Sequence, residues 1–492
     1  MQPATGEHVS SATAPANGQS AYDEHHPPSV DLMDKCVHCG FCLPTCPTYV
    51  LWGEEMDSPR GRIYLMRLAS DGKIAMNDTF VKHIDQCLGC MACVTACPSG
   101  VPYEKIVEPA RAQIERRFTR SAADKLHRDF VFSIFPHQTR LRALLAPLYL
   151  YQASGLQRLV RSTGLTRLLP KKLREMETLL PPVPRDAFTY NLPERVPAQG
   201  KHRRRVGMLT GCVQQVLFAK VNAATARVLA AEGCEVIIPR EQGCCGALMI
   251  HAGREEEALD FARRLIDTFE GTDVETIAVN AAGCGSNLKE YGFLLRDDPA
   301  YAERAKAFAA KCKDVSEILA ELGPQAPRHP LPLRVAYHDS CHLQHAQAIR
   351  LQPRKVLATI PGIELLEIAE SAICCGSAGI YNLVEPDPAR ALGDRKVQNC
   401  LATGAQIIAT ANPGCILQIA SGLGRAGKPL PVVHMMEVLD ASIQGRSAES
   451  LTRMPGAMNG KNSPILKPVV AAGMLAGAAL LGYFAVKKLS KL

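Results

Sequence analysis

One cysteine run is written twice near the amino end: Cys36-x-x-Cys39-x-x-Cys42-x-x-x-Cys46-Pro47, then Cys87-x-x-Cys90-x-x-Cys93-x-x-x-Cys97-Pro98. Nothing else in the chain constrains the fold as strongly. At this spacing three successive thiolates hold three corners of a [4Fe–4S] cube, and the fourth crosses to the other cube. Cys36, Cys39, Cys42 and Cys97 are thereby expected on one cluster, and Cys87, Cys90, Cys93 and Cys46 on the other. The short gaps let the backbone curl around a cube and aim amides at its sulfurs. Each proline turns the chain away without donating a hydrogen bond. Structural zinc is the competing use of Cys-x-x-Cys pairs, but four-ligand zinc sites do not explain a doubled register of eight. Between the runs, Ser58-Pro59-Arg60-Gly61-Arg62 followed by Ile63, Leu65, Met66 and Leu68 predicts a capped helix. Arg60 and Arg62 either face a cluster or an anionic surface, or are ordinary solvated charges.

The remaining cysteines show a second pattern. Strand-like runs Val206–Thr210 and Val335–His338 lead into Cys212 and Cys341; Cys244-Cys245-Gly246 is matched by Cys374-Cys375-Gly376; Ile277–Val279 and Ile407–Thr410 lead to Cys284 and Cys415. The separations of these anchors are nearly constant, which is the mark of an internal duplication. Two similar α/β lobes are expected, with cysteines past the carboxyl ends of strands, where ligands gather in open sheets. Adjacent cysteines cannot both point into one core, so a metal centre or redox pair is the better account of them. Cys234, Cys312 and Cys400 are left over and read as buried core residues. His338, His342 and His345 flank Cys341 and are weighed as ligands or proton carriers against satisfied core or loop histidines.

At 492 residues the chain is too long for one core. With 47% hydrophobic and 21% charged residues it is globular, and wholesale disorder is excluded. The 19 cysteines follow no secretory leader, so metal or redox thiolates in a reducing compartment are expected rather than disulfides. The domains expected are a disordered arm at 1–30, a 2×[4Fe–4S] ferredoxin-type domain at 31–110 and a basic helical connector at 111–200. Cysteine-rich lobes follow at 201–325 and 326–445, then a polar tether at 446–466 and a tail at 467–492. In the arm, Glu24-His25-His26 is a candidate metal cluster set against a solvated tail.

The residues Cys36-Val37-His38-Cys39-Gly40-Phe41-Cys42, Thr45-Cys46-Pro47-Thr48-Tyr49, Ser58–Tyr64 and Cys97-Pro98-Ser99-Gly100-Val101 closely resemble the iron–sulfur subunit of glycolate oxidase (glycolate dehydrogenase). The duplicated Cys-Cys-Gly lobes are similar to that family and to the wider group that contains the heterodisulfide reductase catalytic subunit. The resemblance covers roughly residues 31–440. In heterodisulfide reductase relatives each lobe ends in C-x-x-C and binds a noncubane cluster. Here the endings are Cys284-Gly285-Ser286-Asn287 and Cys415-Ile416-Leu417-Gln418, so each lobe offers four of those five thiols. An additional cluster on Cys212, Cys244, Cys245 and Cys284, or on Cys341, Cys374, Cys375 and Cys415, stays open chemically.

Gly422-x-Gly424-x-x-Gly427 matches a dinucleotide pattern, but Pro429 and Pro431 follow and no helix can begin there to meet a pyrophosphate. No flavin or NAD is therefore expected on this chain, and a two-electron oxidation would need a flavin on a partner. From Phe130 to Arg174 there are eight basic residues, no acidic ones and many leucines. Such a stretch either lies on anionic lipid or forms a strut against a lobe or a partner subunit. Val469–Val486 carries no charge and as a helix would span ~27 Å, so a single C-terminal transmembrane helix is expected, with the body on the cytoplasmic face of the cell membrane.

The resulting expectation is an α+β and α/β protein serving as the electron-transfer subunit of a membrane-associated, flavin-dependent 2-hydroxy-acid dehydrogenase. Its partners would be a flavoprotein and quinone or another acceptor, with no nucleic acid. The alternative is a heterodisulfide reductase-like, or lactate or glycerol-3-phosphate dehydrogenase-type, subunit whose lobes bind an extra cluster and reduce a disulfide or quinone. A zinc-stabilised assembly protein is the rival outside enzymology.

Overall fold

A computed structural model describes residues 19–168, 177, 183–189 and 191–453. In the amino-terminal domain the helix Pro59–Ser70 starts as its sequence dictates: Ser58 Oγ accepts from the Gly61 amide, and Pro59 fills a position whose amide needs no partner. Its inner face, Ile63, Met66 and Ala69, meets Phe80 and Ile84 of helix Asp78–Asp85 and Ile106 and Ile114 of helix Glu104–Arg117. Ala21 and Tyr22 close this core, and Asp23 accepts from Gln113 Nε2 at 2.8 Å. These residues fall inside the stretch whose composition suggested disorder. Two apolar side chains anchor an otherwise polar segment there, a pattern too sparse for composition to register.

The second part is built on two sheets. Strands β1 (Arg195–Val196), β2 (Arg204–Met208), β3 (Cys234–Ile237), β4 (Thr276–Val279) and β5 (Cys312–Asp314) lie in the order β1-β3-β2-β4-β5, parallel except for the edge strand β1. Strands β6 (Leu333–His338), β7 (Ile363–Glu367), β8 (Ile407–Thr410) and β9 (Val432–His434) lie in the order β7-β6-β8-β9, all parallel. The registers repeat as well: Val206 pairs with Val236 and Thr276, and its repeat mate Val335 with Leu365 and Ile407.

The lobes share a core. Val206, Met208, Leu229 and Val236 from the first pack in one cluster with Val335, Tyr337, Ile407, Met435 and Leu439 from the second. Polar contacts tie the same boundary: Ala282 N donates to Ala411 O at 3.1 Å, and Arg227 grips both oxygens of Asp440 at 3.0 and 2.7 Å. His434 is completely buried at this seam, with Nε2 donating to Asn280 O at 2.8 Å and Nδ1 accepting from Met436 N at 3.2 Å. Burial pushes its pKa down to about 4 from the usual 6.5. The unfolded chain therefore binds the extra proton first, and stability present above about pH 6.5 is lost as pH falls toward 4. The loss expected from this group is about 3 kcal/mol, at about 1.4 kcal/mol per unit. Denaturant midpoints measured from pH 7 to pH 4 check it, because His434→Gln flattens this part of the profile.

The connector forms helices Ala122–Ile134, Gln138–Ala153 and Leu156–Ser162. Leu141 and Leu145 pack on Val216, just after Cys212, and on Ala187, so this part braces the first lobe. Leu144, Leu156, Leu159, Leu165 and Leu168 face outward. Cys234, Cys312 and Cys400 are buried in the lobe cores. The triple-glycine pattern falls at the end of helix Pro413–Arg425, where Gly422 lets Val397 approach, so no helix starts there.

One expectation is corrected. Among the described residues no helix is long and apolar enough to cross a membrane. The C-terminal transmembrane helix placed at 467–492, the membrane-associated character and the location at the membrane face are therefore not supported. An uncharged run of eighteen residues argues for a span only by length and hydropathy, and the run itself lies outside the described residues.

Candidate functional site

The two cysteine runs curl in the same way. Positive φ flanks the middle cysteine of each, at His38 (53°) and Gly40 (87°) around Cys39, and at Gly89 (61°) and Met91 (59°) around Cys90. Left-handed residues on either side turn successive amides toward one point, making a cradle for anions such as sulfide. Two of the four are not glycine and carry a conformational cost that a bound cluster would offset. Cys46, Cys87, Cys90 and Cys93 line one cleft of about 310 Å³, together with Thr48, Arg62 and Tyr103. Cys36 and Cys97 lie within each other's field, and Cys39 is exposed beside them. The structure thus presents an inner set of thiols that is mostly buried and an outer, half-buried set that reaches the surface at Cys39.

Arg62 dominates the inner set. It is 1% exposed and spends all three nitrogens: Nε on His83 O (2.6 Å), Nη1 on Asp57 O (2.7 Å) and Thr48 Oγ1 (3.1 Å), Nη2 on Asp57 Oδ1 (3.0 Å). Burial disfavours its charge, but the facing Cys87, Tyr103, Cys46 and Asp57 groups more than compensate and keep it protonated. Burial likewise raises the Cys87 thiol; Arg62, Arg111 and the Gly89 amide outweigh it and hold Cys87 below its ordinary value. A thiolate ready for metal is the consequence. Arg60 serves the outer set, donating to His38 O at 2.9 Å while paired with Glu55. Both arginines whose role the sequence left open face the thiols.

In the lobes, every cysteine of the repeat lies past a strand's carboxyl end. Cys212 Sγ is 3.5 Å from Cys244 Sγ, and Cys341 Sγ is 3.8 Å from Cys374 Sγ. Each Cys-Cys-Gly glycine has positive φ, and a Cβ would press on a helix backbone, at Ala258 O (2.9 Å) for Gly246 and Ala389 O (2.5 Å) for Gly376. Only glycine fits both positions. The inner thiols abut the second lobe directly: Leu88, Cys90 and Ala92 share a cluster with Ile373, Cys374, Tyr381 and Leu392, with Cys341 at its edge. Thr95 Oγ1 and His345 Nδ1 add a 2.7 Å bond across that boundary.

Sequence reading weighed His342 but missed Arg111, His251 and Glu108, which join the parts. Arg111 donates to Cys87 O and, at 2.7 Å, to His251 O, clamping the inner thiols to the first lobe. His251 meets Glu108 at 2.9 Å and His342 at 3.1 Å, and His342 Nδ1 is 3.5 Å from Cys341 Sγ. The segment at this contact is a π-helical turn, His342–Ala346, a form frequent at functional sites. Apart from His342 and the adjacent Cys341, these partners are far apart in sequence, so only tertiary structure brings them together. Cys-Cys-Gly geometry and paired cysteine runs together define an iron–sulfur protein with two clusters at its amino end.

Family comparison agrees. Residues 32–101 match a 4Fe-4S dicluster domain, 206–289 and 335–420 a cysteine-rich domain, and 123–180 the linker region of the glycolate oxidase iron–sulfur subunit. The chain is 43% identical over 410 residues to a probable glycolate oxidase iron–sulfur subunit of Bacillus subtilis, covering 82% of this chain and 92% of that one. It is 38% identical to the glycolate oxidase iron–sulfur subunit of Escherichia coli, covering 84% and 95%. Lactate utilization protein A of an Exiguobacterium species matches at 32% over 49% of this chain and 98% of its own. The chain belongs to the glycolate oxidase iron–sulfur subunit family.

Proposed function

We propose that this chain is the electron-carrying subunit of a flavin-dependent glycolate oxidase, receiving electrons from a partner flavoprotein and passing them toward quinone. The carrying observation is the order of the thiols: a half-buried outer set with Cys39 exposed, a more deeply buried inner set, then Cys341 and Cys374 of the second lobe against Cys90. Clusters bound at these thiols supply one-electron transfer, which a flavin needs to couple a two-electron oxidation to single-electron acceptors. The residues do the rest. The four-cysteine sets Cys36, Cys39, Cys42, Cys97 and Cys87, Cys90, Cys93, Cys46 hold the clusters, Arg60 and Arg62 balance their charge, and Leu88 and Tyr381 keep water from the inner one.

Docking of the flavoprotein at the outer set follows from Val37 and Phe41, 68% and 66% exposed on the loop that carries Cys39. Apolar side chains held out at an electron port suit a partner rather than solvent. Phe41→Asp is expected to lower glycolate-driven dye reduction by the complex at least about tenfold and to strip the flavoprotein on co-purification, with iron content unchanged. Full turnover and retention in this variant would contradict the reading. The half-length match to a lactate utilization protein favours lactate as the second candidate acid. Supplying each acid to the purified complex separates the two.

A further inference from the structure

The two lobes are not equivalent where their chemistry lies. Residue for residue, the position that holds His338 at the end of β6 is Leu209 in the first lobe, at the separation that relates Cys341 to Cys212. Leu209 packs in an apolar core beside Cys245. His338 is 2% exposed, its ring nitrogens meet no oxygen or nitrogen partner, and the polar group it faces is the Cys375 thiol, whose pKa it helps to lower. A buried imidazole with only a thiol beside it is costly to desolvate and calls for an explanation. The explanation is next to it: the ligand atoms of His338, Cys375 and Cys415 all lie within 4.8 Å of one another, and all three residues are buried. Cys374 adjoins Cys375 in the chain and lies 3.8 Å from Cys341, so the lobe's other two thiols stand next to this group.

We propose that the second lobe, and not the first, carries a third iron–sulfur centre with His338 as one of its ligands. The inference rests on the electron-carrying reading above and extends it to a site where sequence reasoning weighed His338 as more ordinary than functional. His338 supplies the protein donor that the truncated Cys415-Ile416-Leu417-Gln418 ending withholds. Five donors exceed what tetrahedral zinc takes. Neutral imidazole in place of an anionic thiolate lowers the negative charge on a cluster and raises its potential, as when histidine replaces cysteine on iron in known centres. Such a centre, one step beyond Cys90, is an electron sink relative to the all-thiolate pair. The first lobe, with leucine at this position, lacks the fifth donor and the preference.

The test uses the full-length chain purified without oxygen, with iron, zinc and sulfide assayed and electron paramagnetic resonance recorded on protein labelled with 15N-histidine. Expected are iron above the about eight atoms of the two amino-terminal cubes, and a third signal coupled to 15N. His338→Leu, which copies the first lobe, loses the excess iron and that signal while both cubane signals persist. His338→Cys keeps the iron, loses the 15N coupling and titrates at a lower potential, so a folding defect cannot imitate the result. Unchanged iron and spectra in His338→Leu, or zinc as the excess metal, overturns the proposal. Absence of the two cubane signals from the unsubstituted protein overturns instead the electron-carrying reading, and the two failures are told apart in one sample.

Discussion

The Cys93→Ser substitution is expected to remove one of two cubane signals and to reduce acceptor turnover by the complex at least about a hundredfold. Cys93 lines the inner cleft with Cys46, Cys87 and Cys90, and a serine hydroxyl is a far poorer ligand for iron than a thiolate. The inner site stands between the outer thiols and the second lobe, so no parallel route is left. The outer signal should survive, since Cys36, Cys39, Cys42 and Cys97 keep their places. Cys312→Ser is the control: its thiol is buried at the start of β5, donating to Phe308 O at 3.3 Å, and hydroxyl can make the same bond. Resonance spectra and dye reduction on both variants decide the matter. Two intact cubane signals in Cys93→Ser would remove that residue from the ligand set.

Arg62→Met should destabilise the protein by about 3–5 kcal/mol, the cost of stranding one member of a buried ion pair. Asp57, 4% exposed, would lose its 3.0 Å partner, and the carbonyls of Asp57 and His83 would lose their donors. His83 still touches Asp57 at 2.9 Å, so part of the network remains. The inner cluster signal should also titrate at a lower potential, because the cation with the largest pull on Cys87 is gone. Arg62→Lys separates these effects: it restores the charge but not the three-way grip, so it should recover the potential more than the stability. Anaerobic urea melts and redox titrations measure both.

Legibility in the sequence tracked distance along the chain. The doubled cysteine run, the Ser58 cap and the three cysteine anchors of each lobe are local or periodic signals, and they were readable because a few residues carry them. The two α/β lobes, with cysteines past strand carboxyl ends, followed from strands leading into those anchors. The sequence leaves Arg62 open between a cluster and solvent, and Arg111 and the His251–His342 contact were not readable, since they act on residues far away in sequence. His338 shows the limit from the other side. Beside a cysteine it looked ordinary, and only the burial of its ring against the Cys375 thiol sets it apart. The connector's leucines could not say whether lipid or protein faced them until Leu141 and Leu145 were found against Val216.

Ile373, Tyr381 and Leu392, which pack against Leu88 and Cys90, leave the ribosome long after Cys87 and Cys90. Amino-terminal domains fold first during synthesis. The amino-terminal thiols are therefore made, and free to fold, before the second-lobe side chains that come to rest against Leu88 and Cys90 exist. Assembly order, as much as ligand identity, is written into where that lobe comes to rest.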